Sequence, residues 1–258
     1  MPPAAFDIPG AALVTAGGRR IGRAIAEGLA ARGFAVAVHA NRSIADAEAV
    51  AAAIRAAGGR AVALAADLAD TAAAAALVER AEGLVGPIGV LVNNASMFDD
   101  DAVTSLDPAV LRHHLAVNLE TPCLLAGALA ARLPGDAGGL VVNIVDQRVW
   151  KPTPQFFSYS LSKAGLWWAT QTMAQALAPR VRVMAIGPGP AMKSERQAED
   201  DFARQVAAVP LGRGPMLAEF DRAIGFLLGA PSLTGQMIAL DGGQHLAWQT
   251  PDVVGVGE

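Results

Sequence analysis

The sequence alternates short runs of small and β-branched apolar residues with longer helical stretches. Seven short runs have the composition of strands: AALVT, FAVAVH, AVALAA, GVLVN, LVVNIV, VRVMAI and QMIAL. About six helical segments separate them. A strand, a helix and a second parallel strand almost always form a right-handed crossover, so this order predicts a parallel sheet buried between helices. The predicted fold class is therefore α/β, a doubly wound, mainly parallel sheet of seven strands with helices on both faces.

No long linker interrupts this alternation. The Gly- and Pro-rich stretches LPGDAGG and IGPGPAMKSERQ are short enough to be loops inside one domain. We therefore predict a single domain over residues 1–258, with flexible ends at about 1–9 and 249–258. A single domain of this length can bury a sizeable core.

Composition and charge exclude several kinds of partner. The chain is 53% hydrophobic, its net charge is −4, and it has no basic run longer than Arg19-Arg20, so we expect no binding to nucleic acid. No stretch reaches the roughly 20 uninterrupted apolar residues of a membrane span, and MPPAAFDIPG lacks the pattern of a signal peptide. We therefore expect a cytoplasmic protein, no membrane contact, and a small molecule as its partner.

The sequence also contains no pattern that is typical of a metal site or an internal disulfide. A single cysteine, Cys123, leaves no internal disulfide and no cysteine-based zinc site. His39, His113 and His114 form no ligand arrangement with acids or thiols. We expect no metal site, and we interpret His113 and His114 as surface residues of a helix.

A glycine-rich turn follows the first predicted strand. The segment LVTAGGRRIGRAIAEGLAARG places Thr15, Gly17, Gly18 and Gly22 where a strand ends and a helix begins. Glycines permit a tight turn and close approach of the backbone, and the exposed N–H groups of a helix start attract a pyrophosphate. Alone this pattern is weak, because glycines between a strand and a helix can serve packing only.

The end of the second predicted strand indicates which dinucleotide binds. It reads VHANRS, without the acid that would accept hydrogen bonds from a free ribose 2′-hydroxyl. Arg42, with Asn41 and Ser43 beside it, can instead hold a 2′-phosphate, which favours NADPH over NADH. The alternative is that Arg42 is a solvated loop charge and Ser43 a helix N-cap.

A tyrosine and a lysine lie one helical turn apart in YSLSK, so Tyr159 and Lys163 share a helix face. A nearby ammonium favours phenolate, and we therefore expect Lys163 to lower the pKa of Tyr159 and make it a proton donor and acceptor. The alternative is a surface tyrosine with a chance lysine neighbour. Asp146 precedes the tyrosine by thirteen residues.

The motifs TAGGRRIG, VLVNNAS, LAVNL, YSLSK and IGPGP occur in this order, and with them the chain resembles the short-chain dehydrogenase/reductase family over nearly its whole length. The resemblance implies a Rossmann-type fold, a homotetramer, and a catalytic set of Asp146, Tyr159, Lys163 and Asn118. It implies that Lys163 anchors the nicotinamide ribose and that Asn118 supports a water chain behind it. The implied cofactor-binding residues are Thr15, Gly17, Arg19, Arg20, Ile21, Gly22, Asn41, Arg42, Ser43, Asp67, Leu68, Asn94, Ala95, Ser96, Tyr159, Lys163, Pro188 and Gly189.

Two departures from the family pattern indicate which branch of the family the chain resembles. Ala16 and Arg20 stand where the family's turn has glycine. The pteridine reductase and dihydromonapterin reductase branch is similar in having the turn arginine, a segment like HANRS, and aspartate before the tyrosine. It also has an aromatic residue where this chain has Phe98. The resemblance implies a substrate site of Arg20, Ser96, Phe98, Asp146 and Tyr159, with Phe98 covering one face of a flat ring.

Asp146 takes the place of the serine that donates to a reacting carbonyl in most of the family. An ionised carboxylate cannot donate, but it accepts from an N–H and amino pair, and when its pKa is raised by burial it can deliver a proton to a ring nitrogen. We therefore predict an NADPH-dependent reductase of a pterin-like substrate, with hydride added to a ring carbon and protonation by Tyr159 or Asp146. The alternative role for Asp146 is a cap of the loop DQRVW.

Two other functions stay open at this stage: a carbonyl or 3-oxoacyl reductase of the same family, and a non-catalytic NADPH-binding sensor. The charged segment 192–210 follows a Gly-Pro loop, at the place where the family resemblance implies a lid over the substrate; the alternative is an ordinary surface helix. Trp167 and Trp168 follow Lys163 on the predicted helix, and we interpret them as core or subunit-contact residues.

Overall fold

The computed structural model describes residues 7–193, 197–250 and 253–255. The predicted flexible ends and the predicted lid therefore lie partly outside the described residues. A strand forms at each of the seven predicted runs: β1 (Ala11–Val14), β2 (Ala35–Ala40), β3 (Ala61–Ala65), β4 (Ile88–Asn93), β5 (Gly139–Ile144), β6 (Val181–Pro188) and β7 (Met237–Leu240).

The helices of the described residues fall into six crossovers between successive strands. Three crossovers contain two helices each, so the expectation of about six helices was too low. The helices are α1 (Arg20–Ala31), α2 (Ile44–Ala56), α3 (Thr71–Ala75), α4 (Leu77–Val85), α5 (Pro108–Leu115), α6 (Thr121–Arg132), α7 (Phe157–Leu177), α8 (Glu199–Ala207) and α9 (Leu217–Gly229).

The strands form one sheet in the order β3-β2-β1-β4-β5-β6-β7, and every neighbouring pair is parallel. The predicted fold class is confirmed. The order reverses between β1 and β4, because the chain runs outward to β3 and then returns past β1. In sheets of this kind ligands bind in the crevice at the carboxyl ends of the strands beside that reversal.

Helices cover both faces of the sheet, which is why β1, β2, β4 and β5 are buried along their whole length. On one face α1, α2 and α9 pack through side chains such as Ile25, Val50 and Phe220. On the other, α4 and α6 pack through Leu77 and Leu125. The two layers fix the strand ends that carry the site.

The 21-residue helix α7 begins two residues before Tyr159 and is anchored by the loop after β4. Phe156, just before the helix, has a left-handed backbone with φ 55°. The Asp101 carboxylate accepts hydrogen bonds from the Ser158 backbone N–H at 3.0 Å and from the Ser158 hydroxyl. The Phe157 N–H donates to the Asp101 carbonyl at 3.3 Å. Asp101 therefore caps the N-terminus of α7, because the side chain of Phe156 has no hydrogen-bond acceptor.

Helices α5 and α6 run into each other through a π-helical turn, Ala116–Glu120, that contains Asn118. The whole stretch Pro108–Arg132 is long and apolar enough to cross a membrane by length and composition alone, which is weak evidence because core helices pass the same test. Here α6 packs on the sheet through Leu125 and Leu129. Single π turns inside helices are frequent at functional sites.

The surface interpretation of His114 was wrong. His114 is fully buried, its Nδ1 lies 2.9 Å from the Val110 carbonyl, and its Nε2 accepts from the Asp99 N–H at 3.2 Å. A turn of helix and a loop segment together satisfy both ring nitrogens. His113, its neighbour, is exposed as expected.

Candidate active site

A cavity of about 870 Å³ opens at the carboxyl ends of β1, β4, β5 and β6. It lies beside the reversal of strand order, where the topology predicts a ligand site. Of the sequence-predicted site residues, those that line the cavity are Arg19, Arg20, Ile21, Gly22, Asn94, Ser96, Phe98, Asp146, Tyr159, Lys163, Pro188 and Gly189.

The glycine-rich turn packs tightly against the neighbouring strand ends. A side chain at Gly22 would place its Cβ 2.3 Å from the Ala16 carbonyl oxygen and 2.5 Å from Asn94 Nδ2, so only glycine fits there. The Thr15 hydroxyl accepts hydrogen bonds from the N–H groups of Asn94 and Ala95, each at 2.9 Å. Gly22 therefore has a packing role in the turn, and the binding of a pyrophosphate there stays a prediction.

Ala16 and Arg20, the two departures from the family's glycines, have left-handed backbones with φ of 49° and 50°. Such a conformation costs an L residue about 1–2 kcal/mol. With Phe156 they are the three non-glycine residues of positive φ in the described part of the chain, and all three line the cavity. Backbone strain of this kind is concentrated at functional sites.

The predicted 2′-phosphate residues lie beyond the cavity, at the carboxyl end of β2. Arg42 is exposed, and Asn41 Nδ2 donates to Asp67 Oδ1 at 3.2 Å. Ser43 stands at the N-cap position of α2, but among the described contacts its side chain makes no capping hydrogen bond. The capping interpretation of Ser43 therefore holds for its position and not for its hydroxyl. Leu68 is buried, and its carbonyl accepts from the Thr121 hydroxyl at 2.6 Å.

Asp146 and Tyr159 form the central contact of the cavity. The Tyr159 hydroxyl donates to Asp146 Oδ2 at 2.7 Å, and Asp146 Oδ1 accepts from the Arg148 N–H at 2.8 Å. Asp146 thereby begins a short 3-10 helix, Gln147–Val149. The loop-cap role considered for Asp146 is therefore present, while its role toward a substrate ring stays a prediction.

The expectation that Lys163 lowers the pKa of Tyr159 was wrong for the protein without ligands. Burial, followed by the charge of Asp146 and its hydrogen bond to the phenol, raises the pKa of Tyr159 well above its ordinary value. Arg148 opposes this shift. Tyr159 is therefore a protonated phenol whose hydrogen points at a carboxylate, that is, a proton donor.

Lys163 lies beneath the tyrosine ring but is bonded elsewhere. Its Nζ is 5.8 Å from the ring centroid of Tyr159 and donates to the Ile144 carbonyl at 2.7 Å. Burial lowers the pKa of Lys163 to about 8, against the charge of Asp146, which raises it. The ammonium is nearly fully buried and holds its proton only weakly.

Asn118 has every polar atom of its side chain in a hydrogen bond. Its Oδ1 accepts from the Met97 N–H at 2.7 Å, and its Nδ2 donates to the Met97 carbonyl and the Ser162 hydroxyl, both at 3.0 Å. The side chain thus ties the segment after β4 to α7, one residue before Lys163. The water chain behind Lys163 stays a prediction.

An aromatic wall closes one side of the cavity. The Phe98 and Phe156 rings stack with centroids 4.4 Å apart at 13°, and the edge of Tyr159 meets Phe98 at 4.6 Å. The Arg148 guanidinium lies 5.2 Å from the Phe156 centroid and 6.0 Å from that of Phe98. Among the described residues its buried Nη1 has no hydrogen-bond partner.

Sequence reasoning missed Phe156 and Arg148. Arg148 follows Asp146 by two residues and Phe156 precedes Tyr159 by three, so proximity in sequence was the available signal.

The segment after β6 contributes the remaining wall. Arg20 Nη2 donates to the Met192 carbonyl at 2.8 Å, across the cavity from the glycine turn. Gln197, Phe202 and Gln205, in and before α8, also line the cavity. Residues 194–196 lie outside the described residues, and the lid role of this segment stays a prediction.

Other parts of the molecule offer less chemistry. A cavity of about 620 Å³ lies at the amino ends of β1, β3 and β4, and its arginines already bond to backbone: Arg55 to the Ala61 carbonyl at 2.9 Å, Arg60 to that of Val85 at 3.3 Å. Within the described ranges no group of three or more histidine, cysteine or acidic side chains is placed to hold a metal ion.

Comparison with known proteins extends these findings. The family model of the short chain dehydrogenases matches residues 10–202. A crystal structure of FolM alternative dihydrofolate reductase 1 from Brucella suis in complex with NADP is 56% identical, with a TM-score of 0.92, covering 95% of this chain and 98% of that one. The Brucella canis protein complexed with NADP is 55% identical, with a TM-score of 0.93 and coverage of 97% and 100%. A putative ketoacyl reductase of granaticin polyketide synthesis from Streptomyces violaceoruber is 33% identical over 251 residues, 94% of this chain and 99% of that one.

Proposed function

Because this chain belongs to the short-chain dehydrogenase family, we propose that its cavity binds NADPH and reduces a C=N bond of a dihydropterin-like substrate. The observation that carries the proposal is the 2.7 Å hydrogen bond between Tyr159 and Asp146 at the cavity wall. The Brucella FolM structures, 55% and 56% identical and bound to NADP, support both the cofactor and the substrate class.

The residues around the cavity fit NADPH. The turn that ends at Gly22 brings backbone N–H groups and the start of α1 together, which suits a pyrophosphate. No acid stands at Asn41, Arg42 and Ser43 to accept from a free ribose hydroxyl. When bound, NADPH supplies the hydride. Lys163 and Tyr159 would hold its nicotinamide end, and Asn41, Arg42 and Ser43 its 2′-phosphate.

Arg42→Ala is expected to remove most of the preference for NADPH. A charge-assisted pair with a phosphate contributes about 1.5–3 kcal/mol, so the parent protein should favour NADPH over NADH in kcat/KM by at least about tenfold. Steady-state kinetics with both cofactors measures this ratio. Equal use of NADPH and NADH by the parent protein would contradict the assignment of Arg42.

Tyr159 and Asp146 have different roles toward the substrate in this reaction. Reduction of a C=N bond adds hydride to carbon and a proton to nitrogen. Tyr159, a phenol of raised pKa, donates that proton, while the carboxyl oxygens of Asp146 accept from N–H and amino groups of the ring and so orient it. A ketone offers no such donors, and the alkoxide that forms on its reduction is repelled by the carboxylate.

Phe98→Ala tests whether the aromatic wall binds the substrate ring. We expect dihydropterin binding to weaken by about 0.5–1.5 kcal/mol beyond the loss of buried area, with NADPH affinity nearly unchanged. Substrate KM and the NADPH Kd give the two numbers. If Phe98 instead serves only to pack against Phe156, the variant will lose thermal stability at an unchanged substrate KM.

The alternative function is reduction of a carbonyl or a 3-oxoacyl group, which the 33% identical ketoacyl reductase relative favours. Asp146 argues against it for the reason just given. A non-catalytic sensor is disfavoured because Tyr159, Lys163 and Asp146 converge in one cavity.

The deciding experiment compares NADPH oxidation with 7,8-dihydropterins and with a 3-oxoacyl thioester. We expect turnover of at least one dihydropterin, with kcat/KM at least about a hundredfold above that for the thioester, because a site that hydrogen-bonds N–H groups of its substrate strongly rejects a compound without them. The reverse preference would support the alternative. Binding of NADPH without turnover of any substrate in the panel would support the sensor.

We also propose that the protein is a cytoplasmic homotetramer. Two large apolar side chains of α7, Leu161 and Trp168, are 47% and 69% exposed. They lie seven residues apart, on one face of the helix, and a second subunit that packed on this face would cover both of them.

A further inference from the structure

His39 is a buried side chain that contacts two segments around the cofactor site. It is the fifth residue of β2 and only 1% exposed. Its Nδ1 accepts from the Ala16 N–H at 3.2 Å, in the glycine-rich turn. Its Nε2 lies 3.1 Å from the carbonyl of Ala66, beyond the end of β3.

On the turn side, His39 accepts hydrogen bonds from two successive backbone N–H groups. Its ring accepts from the Ala16 N–H, and its carbonyl accepts from the Gly17 N–H at 2.9 Å. Ala16 has the left-handed φ of 49° that the family reserves for glycine, so its backbone needs an outside contact to stay there. His39 thus fixes two consecutive peptide groups at the start of the turn.

On the other side, the same ring contacts the segment after β3 that would lie beside the adenosine of a bound dinucleotide. Ala66 precedes Asp67, whose carboxylate accepts from Asn41, and Asn41 and Arg42 follow His39 by two and three residues. One imidazole therefore bridges the pyrophosphate turn and the adenosine side, while its own strand leads into the 2′-phosphate loop.

These contacts require one form of the ring. Nδ1 must accept and Nε2 must donate, which only the neutral tautomer with hydrogen on Nε2 provides. Burial, with a contribution from Arg80 on α4, lowers the pKa of His39, although the bond to Ala66 opposes the shift. Other charged groups nearby are Asp67, and the Arg19–Asp46 ion pair that joins the turn to α2.

We propose that His39 is a positioning residue for the dinucleotide: its neutral ring holds the turn at Ala16 and the segment at Ala66 so that the pyrophosphate and the 2′-phosphate are received together. The proposal depends on the cofactor and not on the substrate, so it stands or falls independently of dihydropterin reduction.

The test uses two side chains that each reproduce one half of the imidazole. Asparagine places an acceptor near the position of Nδ1, whereas glutamine places its amide near Nε2 and leaves the Ala16 N–H without an acceptor. A buried donor left unpaired is expected to raise the Kd for NADP⁺ at least about tenfold in His39→Gln, while His39→Asn stays within about threefold of the parent. Fluorescence titration with NADP⁺ at pH 7.5 measures both, and kcat at saturating NADPH should change by less than about threefold in either variant.

A second-site change makes the test specific for the turn. Glycine adopts positive φ without support, so in an Ala16→Gly background the loss caused by His39→Gln should shrink by at least about threefold. Thr170→Val is the control for a general loss of stability, because it removes a buried hydroxyl that bonds Asn143 on β5. It should lower the Tm and leave the NADP⁺ Kd unchanged.

Three results would overturn the proposal. One is a His39→Gln protein that binds NADP⁺ within about threefold of the parent. Another is a His39→Asn protein that binds as weakly as His39→Gln. The third is an effect of His39→Gln that is the same with alanine and with glycine at position 16.

Discussion

Replacing Asp146 by serine is expected to reduce dihydropterin turnover by about 10²-fold or more, because a substrate ring that is no longer held in the right orientation reacts about that much more slowly. The carboxylate accepts the Tyr159 hydrogen at 2.7 Å, and in the proposed reaction it receives the N–H and amino groups of the ring. Serine has a single hydroxyl, so it cannot receive that pair and does not attract the protonated edge of the substrate. The measurement is kcat/KM for a dihydropterin at saturating NADPH.

The same substitution should not harm reduction of a simple ketone. Serine donates to a carbonyl oxygen, whereas the carboxylate repels the alkoxide that forms, so weak ketone reduction should appear in Asp146→Ser. Tyr159→Phe is the matched control, because either substrate needs the phenol proton and both activities should vanish. Dihydropterin turnover within about twofold of the parent in Asp146→Ser would show that Asp146 has only a structural role, as the cap of its loop.

Lys163→Met is expected to make the protein more stable and nearly inactive. Burial lowers the pKa of Lys163 from 10.5 to about 8, so at pH 7 the folded protein carries an ammonium that costs about 3 kcal/mol relative to the unfolded chain. Methionine removes this cost. It also leaves the Ile144 carbonyl without its hydrogen-bond donor at 2.7 Å, which destabilises the folded protein by about 1–2 kcal/mol. The free energy of unfolding should therefore rise by about 1–2 kcal/mol, and the Tm by several degrees.

The stability difference between Lys163→Met and the parent should depend on pH. Below pH 8 lysine is protonated in both the folded and the unfolded chain, so the whole cost is present. Between pH 8 and pH 10.5 the folded protein releases the proton first, and the advantage of methionine should fade. Denaturant unfolding at pH 7 and pH 10 measures the change.

Activity should fall by about 10²–10³-fold in Lys163→Met, as expected for a lost electrostatic contact to the reacting groups. Lys151→Met is the control: the Lys151 ammonium also donates to a carbonyl, that of Ala247 at 3.2 Å, but at an exposed position. It should change neither stability nor turnover much. An unchanged or lower Tm in Lys163→Met would show that the buried ammonium carries no net cost.

The fold followed from the sequence because strand and helix patterns alternate without interruption. The seven runs became seven parallel strands, since small apolar residues at every position suit a sheet covered on both faces. The number of helices was harder to predict, because the crossover between β4 and β5 contains α5, a π turn and α6 in one continuous stretch. Spacing alone does not reveal where such a helix changes its winding.

Sequence analysis identified twelve of the residues that line the cavity, but it predicted their electrostatics less well. The spacing of Tyr159 and Lys163 correctly placed the ammonium below the ring, yet the pKa of Tyr159 moved in the opposite direction to that expected. Its sign depends on the 2.7 Å contact with Asp146 and on complete burial, and both arise only when β5 and α7 pack together. His114 and Arg148 illustrate the same limit, because their surroundings come from segments distant in sequence or from a loop without a periodic pattern.

The left-handed backbone at Arg20 bears on how this position can vary among related sequences. Glycine would adopt the conformation more easily than arginine by about 1–2 kcal/mol, so a change to glycine meets no obstacle from the backbone. An arginine at such a position persists only if selection acts on its side chain, which reaches Met192 across the cavity. Relatives with glycine here would keep the fold and the turn, and would have to accommodate their substrates without a cationic group at that point of the wall.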